Sequence, residues 1–309
     1  MIIFFIVAAG IVGLAWSWYN YSVLNKMEVE DINKIDEERL LKTEHPGVVE
    51  IGAIIRQGAS AFISAEYKIC SIFIIIMAGI VYVCVDNMDK WFTTVAFLAG
   101  AITSMFCGAF GMQIATFSNY RTTLAAKNSL GSAFKTAFRA GCAMGFTLVS
   151  VSMIVLLILI YAYKNMMEIE NSSDEKNYYY DLFEAVAGYG LGGSTIAMFA
   201  RVGGGIFTKA ADLGSDLVGK IEAGLPEDSP KNPATIADNV GDNVGDVAGM
   251  SADLFGSFAE ATCAALVIGG NSIVDSEGIA HFSTFLFVLM IPAIGIIASI
   301  IVSSLITEG

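Results

Sequence analysis

Hydrophobic residues run through this chain in long blocks separated by shorter polar connections. A block of about 20 residues can cross a bilayer as a helix, because the helix rises about 1.5 Å per residue and the hydrocarbon core is about 30 Å thick. Such blocks lie near residues 2–24, 54–85, 92–118, 133–163, 182–208, 235–270 and 280–306. The pattern predicts an all-α integral membrane protein, a bundle of about seven transmembrane helices forming a single domain over residues 1–309.

Composition and charge support this class and suggest an orientation. Of the 309 residues, 55% are hydrophobic and 15% charged, and the net charge of −13 argues against a nucleic-acid partner, which would need a basic face. Ten Lys and Arg fall in one alternating set of connections and three in the other. The richer set comprises 25–50, 119–135 and 205–235. The positive-inside rule predicts that this set is cytosolic and that the N-terminus lies outside.

The first charged segment of interest contains five residues spaced by 8, 3, 4 and 4 positions: Arg201, Lys209, Asp212, Asp216 and Lys220. On an α-helix these side chains share an arc of about 100°. Two carboxylates one turn apart, with a lysine one turn away on each side, suit a divalent cation that carries a multiply charged anion. Hard oxygen ligands favour Mg²⁺, which binds through a few carboxylates together with phosphate oxygens and water.

A loop with three prolines follows, and then a second acidic series spaced by 4, 4, 7 and 7 positions: Asp238, Asp242, Asp246, Asp253 and Glu260. On an ideal α-helix these acids share an arc of about 80° and climb about 33 Å. Beside them, glycines recur every fourth residue at 241, 245 and 249, which predicts close packing by a neighbouring helix. We expect the acids to face a narrow polar interior.

A pair of acids one helical turn apart usually marks only a solvated helix face. Here the acidic face continues into apolar sequence around Asp253 and Glu260, where a carboxylate costs at least about 2.5 to 3.5 kcal/mol on insertion scales. These two acids therefore indicate an ion path or a paired site. For Glu66 with Lys68, and for Arg139, we favour structural ion pairing or snorkelling over transport.

The strings Lys209-Ala-Ala-Asp-Leu-Gly-Ser-Asp-Leu-Val-Gly-Lys220 and Asn232-Pro-Ala-Thr-Ile-Ala-Asp-Asn-Val-Gly-Asp-Asn-Val-Gly-Asp246 resemble the membrane-bound, ion-pumping pyrophosphatases. The likeness extends through residues 100–146, including Phe138-Arg-Ala-Gly. It implies a homodimer with many helices per subunit in the lipid bilayer. Such a protein hydrolyses cytosolic pyrophosphate with Mg²⁺ and drives H⁺ or Na⁺ to the far side.

The resemblance also implies roles for individual residues. Pyrophosphate binding falls to Lys209, with Lys220 on the same predicted face and with Glu227 and Asp238 close by. Mg²⁺ is held by Asp212, Asp216 and Asp242, and the attacking water is oriented by Asp246. The gate and ion path include Arg201, Asp253 and Glu260.

The spacing of Asp253 and Glu260 resembles that of the proton-pumping, plant-type members, whereas sodium-pumping members carry the glutamate about one turn after the aspartate. This favours H⁺ over Na⁺ and implies a vacuolar or acidocalcisome-like acidic compartment, with the hydrolytic site facing the cytosol. Activation by K⁺ stays open, because that trait is read from the second half of the family's chains.

Family chains are more than twice as long as this one, and their second half supplies further acids and lysines to the site. We therefore expect residues 1–309 to be the N-terminal part of a longer pump and to be inactive alone. Two alternatives remain at this point: a cation transporter or channel without phosphate chemistry, and a truncated, non-catalytic relative. The first would not need the lysine-flanked face from Lys209 to Lys220.

Overall fold

The computed structural model describes residues 2–27, 46–88, 90–167, 175–226, 228–229, 231–272 and 282–308, and these ranges are almost entirely helical and contain no strands. Two of the helical rods change to a wider π-helical winding along their length. The elements are α1 (Ile2–Lys26), α2 (Pro46–Cys84), α3 (Phe92–Asn128), α4 (Leu130–Met167), α5 (Glu175–Gly214), π1 (Ser215–Glu222), α6 (Ala234–Asp242), π2 (Asn243–Gly249), α7 (Met250–Ser272) and α8 (Phe282–Glu308).

Within the described ranges, six helices are long and apolar enough to cross a membrane, one fewer than the seven predicted spans. The exception is α5, which is 40 residues long but contains glycines and charged residues that lower its hydropathy. Its composition has a physical reason. Helix α5 packs along α3 on one side and along α6, π2 and α7 on another. Because a large part of its surface contacts protein, the helix needs fewer apolar side chains.

Glycines allow α5 to approach its neighbours almost to backbone contact. A Cβ added at Gly192 would collide with the carbonyl of Phe97 on α3, and one added at Gly100 of α3 would collide with the carbonyl of Tyr189. Between membrane helices, where no hydrophobic force operates, such close packing is a main source of association.

Three consecutive glycines in α5 have three different surroundings. A Cβ at Gly203 would lie 2.7 Å from Oε1 of Glu66 on α2, and a Cβ at Gly204 would lie 2.7 Å from the Cα of Gly245 on π2. A Cβ at Gly205 would meet nothing within 4 Å. The triplet therefore makes two close contacts, with different helices, and leaves one open position.

Substituting Gly204 tests this packing. We expect Gly204→Ala to destabilise the chain by about 1 to 3 kcal/mol, because the new methyl group must push two backbones apart. Gly205→Ala is the matched control, and it should be neutral or stabilising by up to about 1 kcal/mol, since alanine is the better helix former. Unfolding midpoints in detergent measure both, and equal midpoints for the two variants would contradict the close contact.

Arg139 ties three helices together inside the bundle. Its guanidinium is buried on α4 and donates hydrogen bonds to Oδ1 of Asn20 on α1 at 3.3 Å and to the carbonyl of Thr307 on α8 at 3.4 Å. These contacts fit the structural role predicted for Arg139. The ion pair predicted between Glu66 and Lys68 is absent among the described residues.

Candidate functional site

The charged segments lie on two continuous helical rods, α5 with π1, and α6 with π2 and α7. Asp216 and Lys220 belong to π1, and Asp246 belongs to π2. The ideal α-helix assumed for these segments is therefore wrong, because π-helical winding makes a wider turn and rotates the residues that follow it. Such π segments occur frequently at functional sites.

Buried polar contacts hold the two rods together near the acids. The hydroxyl of Thr208 on α5 lies 2.7 Å from the carbonyl of Gly241 on α6. The amide of Asn232 donates to the carbonyl of Ser215, where π1 begins, at 3.1 Å, and its oxygen accepts from the N–H of Ala234 at 3.1 Å. These bonds fix the start of α6 against π1.

A further polar contact fixes π2 from the side of α3. Nδ2 of Asn119 donates to Oδ1 of the buried Asn243 at 3.0 Å, and Nδ2 of Asn243 donates to the carbonyl of Asn239 at 2.8 Å. Asn243 stands next to Asp242 and three residues before Asp246. Its two hydrogen bonds anchor the turn that carries both acids.

The carboxylates of the two rods converge into one acidic cluster. Asp238 interacts electrostatically with Asp212 and Asp216 across the rods, and with Asp242 and Asp228. Asp242 in turn interacts with Asp212 and Asp246. The structure thus brings together five of the predicted site residues, Asp212, Asp216, Asp238, Asp242 and Asp246, and adds Asp228, which sequence reasoning left out.

Lys209 supplies positive charge to this cluster through Asp212 and Asp242. Its Nζ lies 3.5 Å from Oδ2 of Asp212, and it also attracts Asp242 on the other rod. Its side chain is 81% exposed, so the ammonium can turn toward an anion arriving from solution. Lys220 is also exposed, on π1. Glu227, predicted for substrate binding, lies outside the described residues.

A divalent cation could be held by pairs of these carboxylates. Among the described residues, no three His, Cys, Asp or Glu side chains converge closely enough to form a complete metal site. Mg²⁺ usually binds proteins through one or two carboxylates and completes its shell with phosphate oxygens and water. A pair of carboxylates that binds Mg²⁺ together with phosphate oxygens is compatible with this coordination, but Asp212, Asp216 and Asp242, the three predicted ligands, do not form a three-carboxylate site in the described chain.

The acids on the second rod are not enclosed in a polar interior within the described chain, contrary to our expectation. Asp242, Asp246, Asp253 and Glu260 are all exposed. The reason is the glycine face of the same rod, which packs on α5. A Cβ at 245 would lie 2.8 Å from the carbonyl oxygen of Gly204, and a Cβ at 249 would lie 3.2 Å from the Cα of Arg201. The acids occupy the surface beside this contact.

Glu260 has a partner that the sequence did not reveal. The hydroxyl of Ser194 on α5 donates to Oε2 of Glu260 at 2.8 Å. The helices are close here, since a Cβ at Gly190 would lie 3.0 Å from the Cα of Glu260. Arg201 and Asp253, predicted to share the gate, are both exposed and form no ion pair within the described ranges.

Comparison with known proteins identifies the family behind this arrangement. A family model described as inorganic H⁺ pyrophosphatase matches residues 11–309. The chain belongs to this family. The lysine-flanked acidic cluster and the acids beyond it on α7 therefore lie within the part of the chain that matches the family.

Similar members of the family are named as pumps of different ions. A protein of Clostridium tetani, named provisionally as a potassium-stimulated, pyrophosphate-energised sodium pump, is 46% identical over 252 residues, covering 82% of this chain and 34% of the relative. A potassium-insensitive, pyrophosphate-energised proton pump of Methanosarcina mazei is 40% identical over 252 residues, with the same coverage.

A plant member, pyrophosphate-energised membrane proton pump 3 of Arabidopsis thaliana, is 37% identical over 276 residues, covering 82% of this chain and 34% of the relative. The chain thus spans about a third of the length of the relatives it matches.

Proposed function

We propose that residues 1–309 form the N-terminal part of a pump that hydrolyses cytosolic pyrophosphate with Mg²⁺ and moves H⁺ across a membrane. The observation that carries this proposal is the convergence of Lys209 with carboxylates from both rods, continued by Asp253 and Glu260 on α7. A cation transporter without phosphate chemistry would not need exposed lysines in that cluster, and the family membership counts against it.

In this proposal the cluster binds pyrophosphate. Lys209 and Lys220 contact phosphate oxygens, and Glu227 and Asp238 line the same region. Asp212, Asp216 and Asp242 hold Mg²⁺, which when bound neutralises charge on the phosphates. Without a cation these carboxylates would repel pyrophosphate, so substrate and metal bind together. K⁺ is a second candidate cofactor, because similar pumps are named both potassium-stimulated and potassium-insensitive.

Asp246 is the residue we assign to the attacking water. It belongs to π2, four residues after Asp242 and seven before Asp253, so it stands where the cluster meets the ion path. A carboxylate there can accept a hydrogen bond from water and take its proton as the water attacks phosphorus. The proton is then released on the rod that carries Asp253, seven residues further along, and Glu260 beyond it.

We favour H⁺ over Na⁺ as the transported ion. Glu260 stands seven residues after Asp253, and the hydroxyl of Ser194 orients its carboxylate. Na⁺ is the second candidate because the Clostridium relative is named a sodium pump. The test uses the protein expressed from its whole open reading frame, called the full-length pump below. In sodium-free vesicles, pyrophosphate should acidify the lumen, whereas transport that depends on Na⁺ would overturn the assignment.

We also propose an orientation, an oligomeric state and a membrane for the pump. We infer that the connections rich in Lys and Arg lie in the cytosol and that the N-terminus lies outside. We also infer that the pump is a homodimer in an acidic, vacuolar or acidocalcisome-like membrane. Further segments of the full-length pump are proposed to cover the exposed acids and to add lysines and carboxylates to the cluster.

This last point predicts the behaviour of residues 1–309 alone. We expect the purified chain to show no Mg²⁺-dependent release of phosphate from pyrophosphate above the rate of a buffer blank. The physical reason is that the lysines and carboxylates proposed to come from further segments are not part of this chain. A phosphate-release assay checks this, and turnover by the purified chain would show that its own residues suffice.

A further inference from the structure

Between α2 and α5 lies a slot that holds one carboxyl oxygen, Oε1, of the half-buried Glu66. Gly203 of α5 forms one wall, since a Cβ there would lie 2.7 Å from Oε1 of Glu66. Aromatic contacts close the slot one helical turn to either side of Gly203. The rings of Phe62 and Phe207 lie 4.8 Å apart, and those of Phe73 and Phe199 lie 4.3 Å apart.

The carboxyl group in this slot lacks a compensating partner. Oε1 of Glu66 is buried and accepts no hydrogen bond from the described residues. Lys68 on α2 and Arg201 on α5 are both exposed, and neither pairs with it. The same helix stripe continues through the apolar Ile63 and the buried Cys70, so Glu66 interrupts a hydrophobic face.

The neighbouring helices add no positive charge to the slot. On α2 the hydroxyl of Tyr67 is engaged, since it donates to the carbonyl of Met105 at 2.6 Å. On α3 the buried thiol of Cys107 interacts electrostatically with Tyr67. The second rod presents apolar side chains to α2, namely Val240, Val244 and Ala248.

We propose that this slot is a proton-binding site and that Glu66 holds a proton at neutral pH. An ionised carboxylate with a buried, unpartnered oxygen on a helix that is long and apolar enough to span a membrane costs several kcal/mol, so the group neutralises instead. A hard cation would need several oxygen ligands, and the described surroundings offer only the carboxyl group and one engaged hydroxyl. The site is separate from the acids of α7, because Gly203 meets Glu66 whereas Gly204 meets π2.

Labelling with a hydrophobic carbodiimide tests this inference on the purified chain, independently of pyrophosphate. The carboxyl proton moves to a carbodiimide nitrogen, and the carboxylate oxygen adds to the central carbon. The adduct then rearranges to an N-acylurea that retains the whole reagent. At pH about 7, well above the ordinary glutamate pKa of about 4.3, we expect labelling of Glu66 to exceed that of the exposed Glu222 by about a hundredfold.

Matched variants show where the adduct forms. Glu66→Gln should remove the adduct while keeping the unfolding midpoint in detergent, because the amide is neutral and of similar shape. Gly203→Ala should lower the labelling several-fold by displacing the carboxyl group, whereas Gly205→Ala should leave it unchanged. Labelling of Glu66 no stronger than that of Glu222 would overturn the proposal. So would labelling that Na⁺ abolishes at constant pH, since the occupant would then be a cation.

Discussion

Asp246→Asn in the full-length pump is expected to lower the rate of pyrophosphate hydrolysis by about 10²- to 10⁴-fold, the contribution typical of a positioned general base. The amide keeps the size of the carboxylate but cannot take a proton from water. Asp246 lies in π2, and the bond between Asn119 and Asn243 anchors that turn. Because the substitution leaves this anchor in place, the KM for pyrophosphate should change much less than kcat.

The matched control is Glu222→Gln, the same chemical change at an exposed acid of π1 that we place outside the reaction. It should leave kcat within about twofold of the parent, since surface changes usually have small effects. Phosphate release under steady-state conditions measures both variants. A kcat for Asp246→Asn equal to that of the control would remove Asp246 from the water-activating role.

Glu260→Gln is expected to separate transport from substrate binding. We expect proton transport per pyrophosphate hydrolysed to fall by about 10²-fold or more, because an amide cannot relay a proton. The KM for pyrophosphate should stay nearly unchanged, since Glu260 lies fourteen residues beyond Asp246 on the same rod. Glutamine can still accept the hydrogen bond from Ser194, so the local packing should survive.

Lumenal acidification and phosphate release, measured on the same vesicles, give the transport ratio. Glu184→Gln, at an exposed acid of α5 outside the proposed path, serves as the control and should keep the parent ratio. The transport ratio of Ser194→Ala should lie between the ratios of Glu260→Gln and Glu184→Gln, because this substitution removes the hydrogen bond that orients Glu260 but keeps the ionisable group. Unchanged transport by Glu260→Gln would exclude this residue from the path.

The sequence predicted the helices and the acidic segments because their signals are local. Apolar blocks are long enough to read as spans, and the glycines at 241, 245 and 249 correctly predicted a close helix contact. Among the predicted spans, α5 alone is not apolar enough to count as a span within the described ranges, and its contacts with α3, α6, π2 and α7 cannot be derived from its own segment of sequence.

The parts that sequence reasoning missed depend on contacts between distant residues. The π winding of 215–222 and 243–249 has no simple residue signature, and periodicity arguments assume the α-helical turn. The bond from Ser194 to Glu260 joins residues 66 positions apart. The three glycines after Val202 look alike in sequence, and only the positions of α2 and π2 distinguish them.

The central claim is that the segment from Lys209 to Asp246 binds pyrophosphate together with Mg²⁺. Limited proteolysis of the full-length pump, with mass spectrometry of the cleavage sites, tests it most directly. We predict that residues 209–246 become protected when pyrophosphate and Mg²⁺ are both present, and much less when either is added alone. Equal cleavage with and without pyrophosphate in the presence of Mg²⁺ would contradict the claim.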